Sequence, residues 1–171
     1  MTCLFQSFQE ENTRNNKMRC LIVYDTITGN TEKIARAIAS VLKARIAKAG
    51  KAGINEISKY SLIGFGSGIY ATKHHQSLLR LVDKMPENIG NNKKAFVFST
   101  AGTCSLKLLW HLPLRKRLIK KGFEVAGEFC CKGKDTFGPF KLIGGLNKNH
   151  PNEEDIKNAK EFAKSIKMQV K

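Results

Sequence analysis

Residues 26–31 read Thr-Ile-Thr-Gly-Asn-Thr and run straight into a helical pattern. Hydroxyls, an amide and a glycine dominate this stretch, and it contains no lysine or arginine. Such a loop can still hold an anion. The first N–H groups of a helix have no partner within it and carry partial positive charge. Thr26, Thr28 and Thr31 add hydroxyl donors, and Gly29 lets the backbone come close. Together they form a nest for a phosphate between a first strand and a first helix. A helix cap alone accounts for one hydroxyl and leaves the others unexplained. A Walker loop is excluded because its second glycine and its lysine are missing, and G-x-G-x-x-G does not occur in this turn. A phosphorylated receiver needs clustered aspartates, whereas Asp25 stands alone.

Strands and helices alternate around this loop. Residues 19–24 (RCLIVY) are a short apolar run of strand type. From Thr31 onward, Ile34, Ile38, Val41 and Leu42 recur on one helix face. Residues 45–49 read as a short strand, 50–60 as a connector with one helical turn, and 61–66 (SLIGFG) as a buried strand. Leu78, Leu81, Val82 and Met85 mark a helix stopped by Pro86. Residues 95–99 (AFVFS) are a strand, 112–121 a helix closed by Gly122, and 123–129 (FEVAGEF) a strand. Ile156, Ala159, Ala163 and Ile166 mark the last helix, with Glu153, Glu154 and Asp155 in its first turn, where the dipole favours negative charge. Continuous apolar strands alternating with amphipathic helices predict an α/β fold whose parallel sheet is covered on both faces. No internal repeat or second domain is visible.

The hexapeptide Thr26-Ile27-Thr28-Gly29-Asn30-Thr31 resembles the T-x-T-G-x-T phosphate loop of flavodoxins, and the element order resembles theirs from Met18 to the end. The resemblance implies a short-chain, three-layer flavodoxin-like fold. Its five-stranded parallel sheet would have the order 2-1-3-4-5, with helices on both faces. FMN is the implied cofactor, its phosphate held by residues 26–31. Ligands of such sheets sit beyond the carboxyl ends of the strands, where the order reverses. Two further loops then meet the flavin ring: Gly66, Ser67, Gly68, Ile69 and Tyr70 after the third strand, and Ser99, Thr100, Ala101 and Gly102 after the fourth. By resemblance, the backbone of 66–70 responds to protonation of the ring, and its glycines make a peptide reorientation cheap. Tyr70 is the candidate for stacking on the ring, the alternative being a tyrosine packed over the loop. Thr100 and Gly102 would offer backbone groups to the pyrimidine edge.

Other residues carry weaker chemistry. His74 and His75 read as opening a helix, where adjacent residues cannot share a face, which argues against a metal site. One of them could lie near the flavin or a docking partner. Trp110 either shields the ring edge or anchors the core. The cysteines Cys3, Cys20, Cys104, Cys130 and Cys131 are odd in number and match no disulfide framework, so they read as reduced thiols. Cys130 and Cys131 would point to opposite faces of a strand. The long connection before the last helix contains Gly138-Pro139-Phe140, Gly144-Gly145 and the lysines 132, 134, 141 and 148, and reads as a lid or docking surface.

The 171 residues, 42% hydrophobic and 26% charged, suit one soluble domain. No apolar run approaches a membrane span, and no secretory signal is visible, so a cytoplasmic location is expected. Residues 1–17 read as a disordered N-terminal extension or an upstream start, leaving 18–171 as the flavodoxin-like domain. The net charge of +16 lies in that body, because Glu10 and Glu11 balance Arg14 and Lys17. This departs from the usual acidity of flavodoxins. Arg115, Lys116, Arg117, Lys120 and Lys121 form either a solvated helix face or a docking patch for an acidic, ferredoxin-like redox partner. Nucleic acid is disfavoured, since no recognition motif accompanies the basic residues. Positive charge would also stabilise a reduced, anionic flavin and make the second reduction step less negative. The expected function is electron transfer between redox partners, which needs no catalytic residue. The alternatives are an FMN-dependent oxidoreductase of the same fold (an NAD(P)H:quinone reductase or a protoporphyrinogen oxidase-like protein) and a non-redox binding module.

Overall fold

Strand β1 (Cys20–Asp25) shows how the sheet is buried on both sides. Successive side chains of a strand point to opposite faces. Leu21 and Val23 join one apolar cluster, and Cys20, Ile22 and Tyr24 join the other. The structure, a computed structural model, describes residues 18–134 and 147–170. After β1 come α1 (Asn30–Leu42), β2 (Arg45–Lys48), α2 (Ile54–Ile57), β3 (Leu62–Tyr70), β4 (Lys73–His74) and α3 (Gln76–Lys84). Then follow β5 (Lys94–Ala101), α4 (Lys107–Lys120), β6 (Glu124–Lys132) and α5 (Glu153–Gln169).

Parallel pairing links β2-β1-β3-β5-β6, the order expected from the sequence. Ile34, Ile38 and Leu42 of α1 and Ala159, Ala163 and Ile166 of α5 cover one face. Leu78 and Val82 of α3 and Leu114 and Leu118 of α4 cover the other. The expected N-terminal extension and the Gly138–Gly145 part of the long connection lie outside the described residues.

Residues 66–70 are strand, not loop. Gly66 and Gly68 pair with Phe98 and Thr100 of β5, and Gly64 pairs with Phe96. The glycines leave room for aromatic rings. A Cβ on Gly64 would come within 2.3 Å of the Phe96 ring, and one on Gly66 within 2.2 Å of the Phe98 ring. A glycine covered by a cross-strand aromatic keeps its place in a sheet without a side chain of its own. Cheap reorientation is therefore not available at Gly66 and Gly68, whose peptides stand in the β5 ladder. The chain turns back beyond them. Ala71 and Thr72 have φ of 45° and 71°, and Tyr70 faces Lys73 across the hairpin. Positive φ at both central residues is the turn that matches strand twist, though alanine and threonine adopt it at a cost.

Two further expectations change. Helix α4 starts at Lys107 and runs through Pro113. Proline there removes a bond to the carbonyl of Leu109, a residue 61% exposed, where water can replace it. Cys104 and Cys130 form a disulfide with Cα atoms 5.8 Å apart, while Cys20 and Cys131 are free and buried. The turn after β5 carries Cys104 to β6, a pairing that a sequence separation of 26 conceals. Cys130 and Cys131 do face opposite sides, one in the disulfide and the other in the cluster under α1.

The glycine–aromatic pairs make a direct prediction. Gly66→Ala should lower stability in urea denaturation by about 1–3 kcal/mol, because the Phe98 ring is fully buried and must move. Gly50→Ala, whose Cβ would meet nothing within 4 Å, should stay within about 0.5 kcal/mol of the parent.

Candidate functional site

A cavity of about 280 Å³ opens beyond the carboxyl ends of β1, β3 and β5. The first turn contributes Ile27, Thr28 and Asn30; the end of β3 contributes Gly68, Ile69 and Tyr70; and β5 with its following turn contributes Thr100, Ala101 and Gly102. The three segments singled out in the sequence therefore meet at one place. A fourth, Gly133 and Lys134 after β6, joins them. Its only local signal was a lysine within the long connection. Asn30 explains the placement: its side-chain amide donates to the Lys134 carbonyl at 2.8 Å. Gly133 N–H donates to the Ala101 carbonyl at 2.9 Å. A lysine, absent from residues 26–31, thus borders the cavity from beyond the end of β6.

The first turn is preset. Gly29 has φ 82°, and a Cβ there would meet open space, so backbone conformation and not crowding calls for glycine. Among the described residues no side chain caps α1, so its leading N–H groups have no side-chain partner there. The threonine hydroxyls have separate surroundings. Thr26 Oγ1 accepts from Gly29 N–H at 2.9 Å, which leaves its own proton to donate elsewhere. Thr31 Oγ1 lies 2.9 Å from Thr100 Oγ1 in a buried bond that ties α1 to β5. Thr28 is exposed at the cavity.

Ser67 and Ser99 turn away from the cavity. In register, Asp25, Ser67 and Ser99 form a row across β1, β3 and β5, facing α3 and α4. Each member of the row meets a histidine. His75 Nδ1 is 3.2 Å from Asp25 Oδ2, His74 Nδ1 is 3.0 Å from Ser67 Oγ, and His111 Nε2 is 2.8 Å from Ser99 Oγ. Ser77 also donates to Asp25. His111 Nδ1 reaches Glu128 Oε2 at 3.1 Å, and the His74 and His111 ring centroids are 5.0 Å apart. His74 belongs to β4 and His75 caps α3, so neither lies inside a helix. No group of three or more metal-ligating side chains occurs among the described residues. Tyr70 stands edge-on to His75, with centroids 5.5 Å apart. Trp110 is half-buried on α4 and is not part of either core cluster.

An open, doubly wound α/β sheet with a cavity beyond the carboxyl ends of its strands defines the class of this protein. The flavodoxin domain family matches residues 21–122, and the chain belongs to that family. It is 58% identical over 150 residues to the uncharacterized protein MJ0298 of Methanocaldococcus jannaschii, covering 87% of this chain and 98% of that one. It is 26% identical over 181 residues to the flavodoxin-like domain-containing protein BilS of Clostridioides difficile, covering 87% and 96%. Oxidised Flavodoxin 2 from Bacillus cereus superposes with a TM-score of 0.67 at 18% identity, over 88% of this chain and 99% of that one.

Burial sets the protonation of the histidine row. It pushes His74 down to about 3, assisted by repulsion from His111. It pushes His111 down to about 4, assisted by Lys107. Both rings are therefore neutral in the folded protein near pH 7. An unfolded histidine gains its proton near pH 6.5. Between that value and about 4, the unfolded chain binds protons that the folded chain refuses, so stability falls as pH falls. The slope reaches about 1.4 kcal/mol per pH unit for each histidine. His74→Asn should flatten the decline between pH 6.5 and 4 in urea denaturation relative to the parent. Equal slopes would mean that His74 protonates without unfolding.

Proposed function

We propose that the cavity binds FMN and that the protein carries electrons between redox partners. The observation that supports this most is the convergence of an uncapped helix start, a preset Gly29 turn and an aromatic hairpin on one cavity. The leading N–H groups of α1 and the Thr28 hydroxyl would take the phosphate, with Lys134 adding positive charge. Tyr70 would lie against the ring. The backbone at Gly102, just past the end of β5, would meet its polar edge. Bound FMN supplies the exchange of one or two electrons; the protein positions and electrically tunes it. Among the described residues the cavity lining contains no carboxylate or imidazole, which suits transfer of electrons better than acid–base work on a substrate. In this reading the partners are acidic redox proteins drawn to the +16 charge, and the protein works in the cytoplasm.

Added FMN should survive desalting as a yellow chromophore with a shifted flavin band. A colourless product would remove the proposal. Riboflavin, which lacks the phosphate, should bind at least about tenfold more weakly, because charge-assisted hydrogen bonds are lost. Reductive titration in separate one-electron steps would support a carrier. A single two-electron step with turnover of a pyridine nucleotide would point to the oxidoreductase alternative.

The charge makes a further prediction. The potential of the second electron should become more negative as salt is raised, because the lysines and arginines that stabilise the reduced anion are then screened. A potential indifferent to salt would show that the surface charge does not reach the flavin.

A further inference from the structure

Helix α4 (KLLWHLPLRKRLIK) contains no acidic residue. Its inward face is His111, Leu114 and Leu118. A surface helix ordinarily turns polar residues outward. Here the outward positions include Leu108 at 65%, Leu109 at 61%, Leu112 at 38% and Ile119 at 53% exposure. Leu106, just before the helix, is 52% exposed. Arg115, Lys116 and Lys120 are exposed on the same face. Arg117 is held by Asp83 at 2.8 Å, and Arg115 lies 3.6 Å from Glu128. Among the described residues, Lys107, Lys116 and Lys120 form no ion pair.

We infer that the outward face of α4 docks on an anionic lipid surface. Leu108, Leu109 and Leu112 enter the apolar boundary, while Lys116 and Lys120 meet headgroup phosphates. Exposed leucines supply apolar area to bury at the headgroup boundary, and the basic residues beside them add attraction to anionic lipid. Anionic headgroups attract each such basic residue within a Debye length. A second copy is a poor occupant: each body carries +16, and the helix offers no carboxylate to answer its own basic residues. A globular partner would need an apolar groove shaped to a convex helix face, whereas acyl chains conform to it. The turn leading into α4 begins at the cavity-lining Gly102, so docking would set the cavity mouth near the membrane. No helix among the described residues is long and apolar enough to cross a membrane, so attachment would be peripheral. The inference does not depend on what the cavity binds.

The test is co-sedimentation of the full chain with vesicles of phosphatidylcholine alone and of phosphatidylcholine mixed with phosphatidylglycerol, at physiological ionic strength. Binding to the mixed vesicles only is expected. The double variant Leu108→Ser with Leu109→Ser should bind at least tenfold more weakly while keeping the parent's circular dichroism and melting temperature. Lys116→Ser with Lys120→Ser should bind more weakly and with less salt sensitivity. No binding to the mixed vesicles would overturn the inference. So would binding that the leucine substitutions leave unchanged, since the whole body's charge would then suffice. A parent dimer that the leucine substitutions dissociate would give the face to a second copy. Binding of an acidic ferredoxin that the same substitutions abolish would give it to a protein, and either result would overturn the lipid assignment.

Discussion

The register of β3 against β5 is the constraint from which the site follows. Phe96 and Phe98 fit only opposite glycines, because a Cβ at Gly64 or Gly66 would overlap their rings. A slip of one residue would turn every side chain of a strand to the other face. With the register fixed, Ser67 falls beside Ser99, and both point to the α3 and α4 side, where His74 and His111 receive them. One step further, Gly68 falls beside Thr100 on the opposite side, where the cavity opens. Thr100 then reaches Thr31 and positions the start of α1. Packing in the middle of the sheet thus places polar groups at its end.

On the proposed reading, the first turn would form an anion site without a local cation. A lysine within residues 26–31 would bring a full charge beside the helix start. Here Lys134 borders the cavity, its backbone held by the bond from Asn30 to its carbonyl, so one residue of the turn fixes where the chain carrying that lysine runs. The arrangement depends on β6 lying beside β5, which the bond from Gly133 N–H to the Ala101 carbonyl extends past the end of the strand. Fold and electrostatics are coupled at this point.

Much of the fold was legible because apolar periodicity answers to burial. The run CLIVY reads as a strand covered on both faces, and Ile34, Ile38 and Leu42 read as one helix face. Residues 66–70 misled because glycine-rich composition ordinarily marks a turn, and nothing local reveals that Phe96 and Phe98 occupy the vacated space. The start of α4 is not legible in the sequence because leucines lie on both its faces and Pro113 mimics a helix beginning. The disulfide, the Asn30–Lys134 bond and the histidine row join residues far apart in the chain. Pairing across a sheet determines them, and no short pattern encodes it.

Two unusual features of the surface have a common physical logic. Exposed leucines on one helix face favour self-association, and contiguous apolar area is uncommon on a monomer's surface. A body charge of +16 opposes that association, because like-charged bodies repel before their apolar faces meet. The leucines at 108, 109 and 112 do not complete a core, since His111, Leu114 and Leu118 already form the inward face of α4. Folding therefore accounts for one side of this helix and leaves the other unexplained. A face that folding does not require, on a body of +16, is one that the inferred anionic lipid surface would both attract by charge and cover by apolar contact.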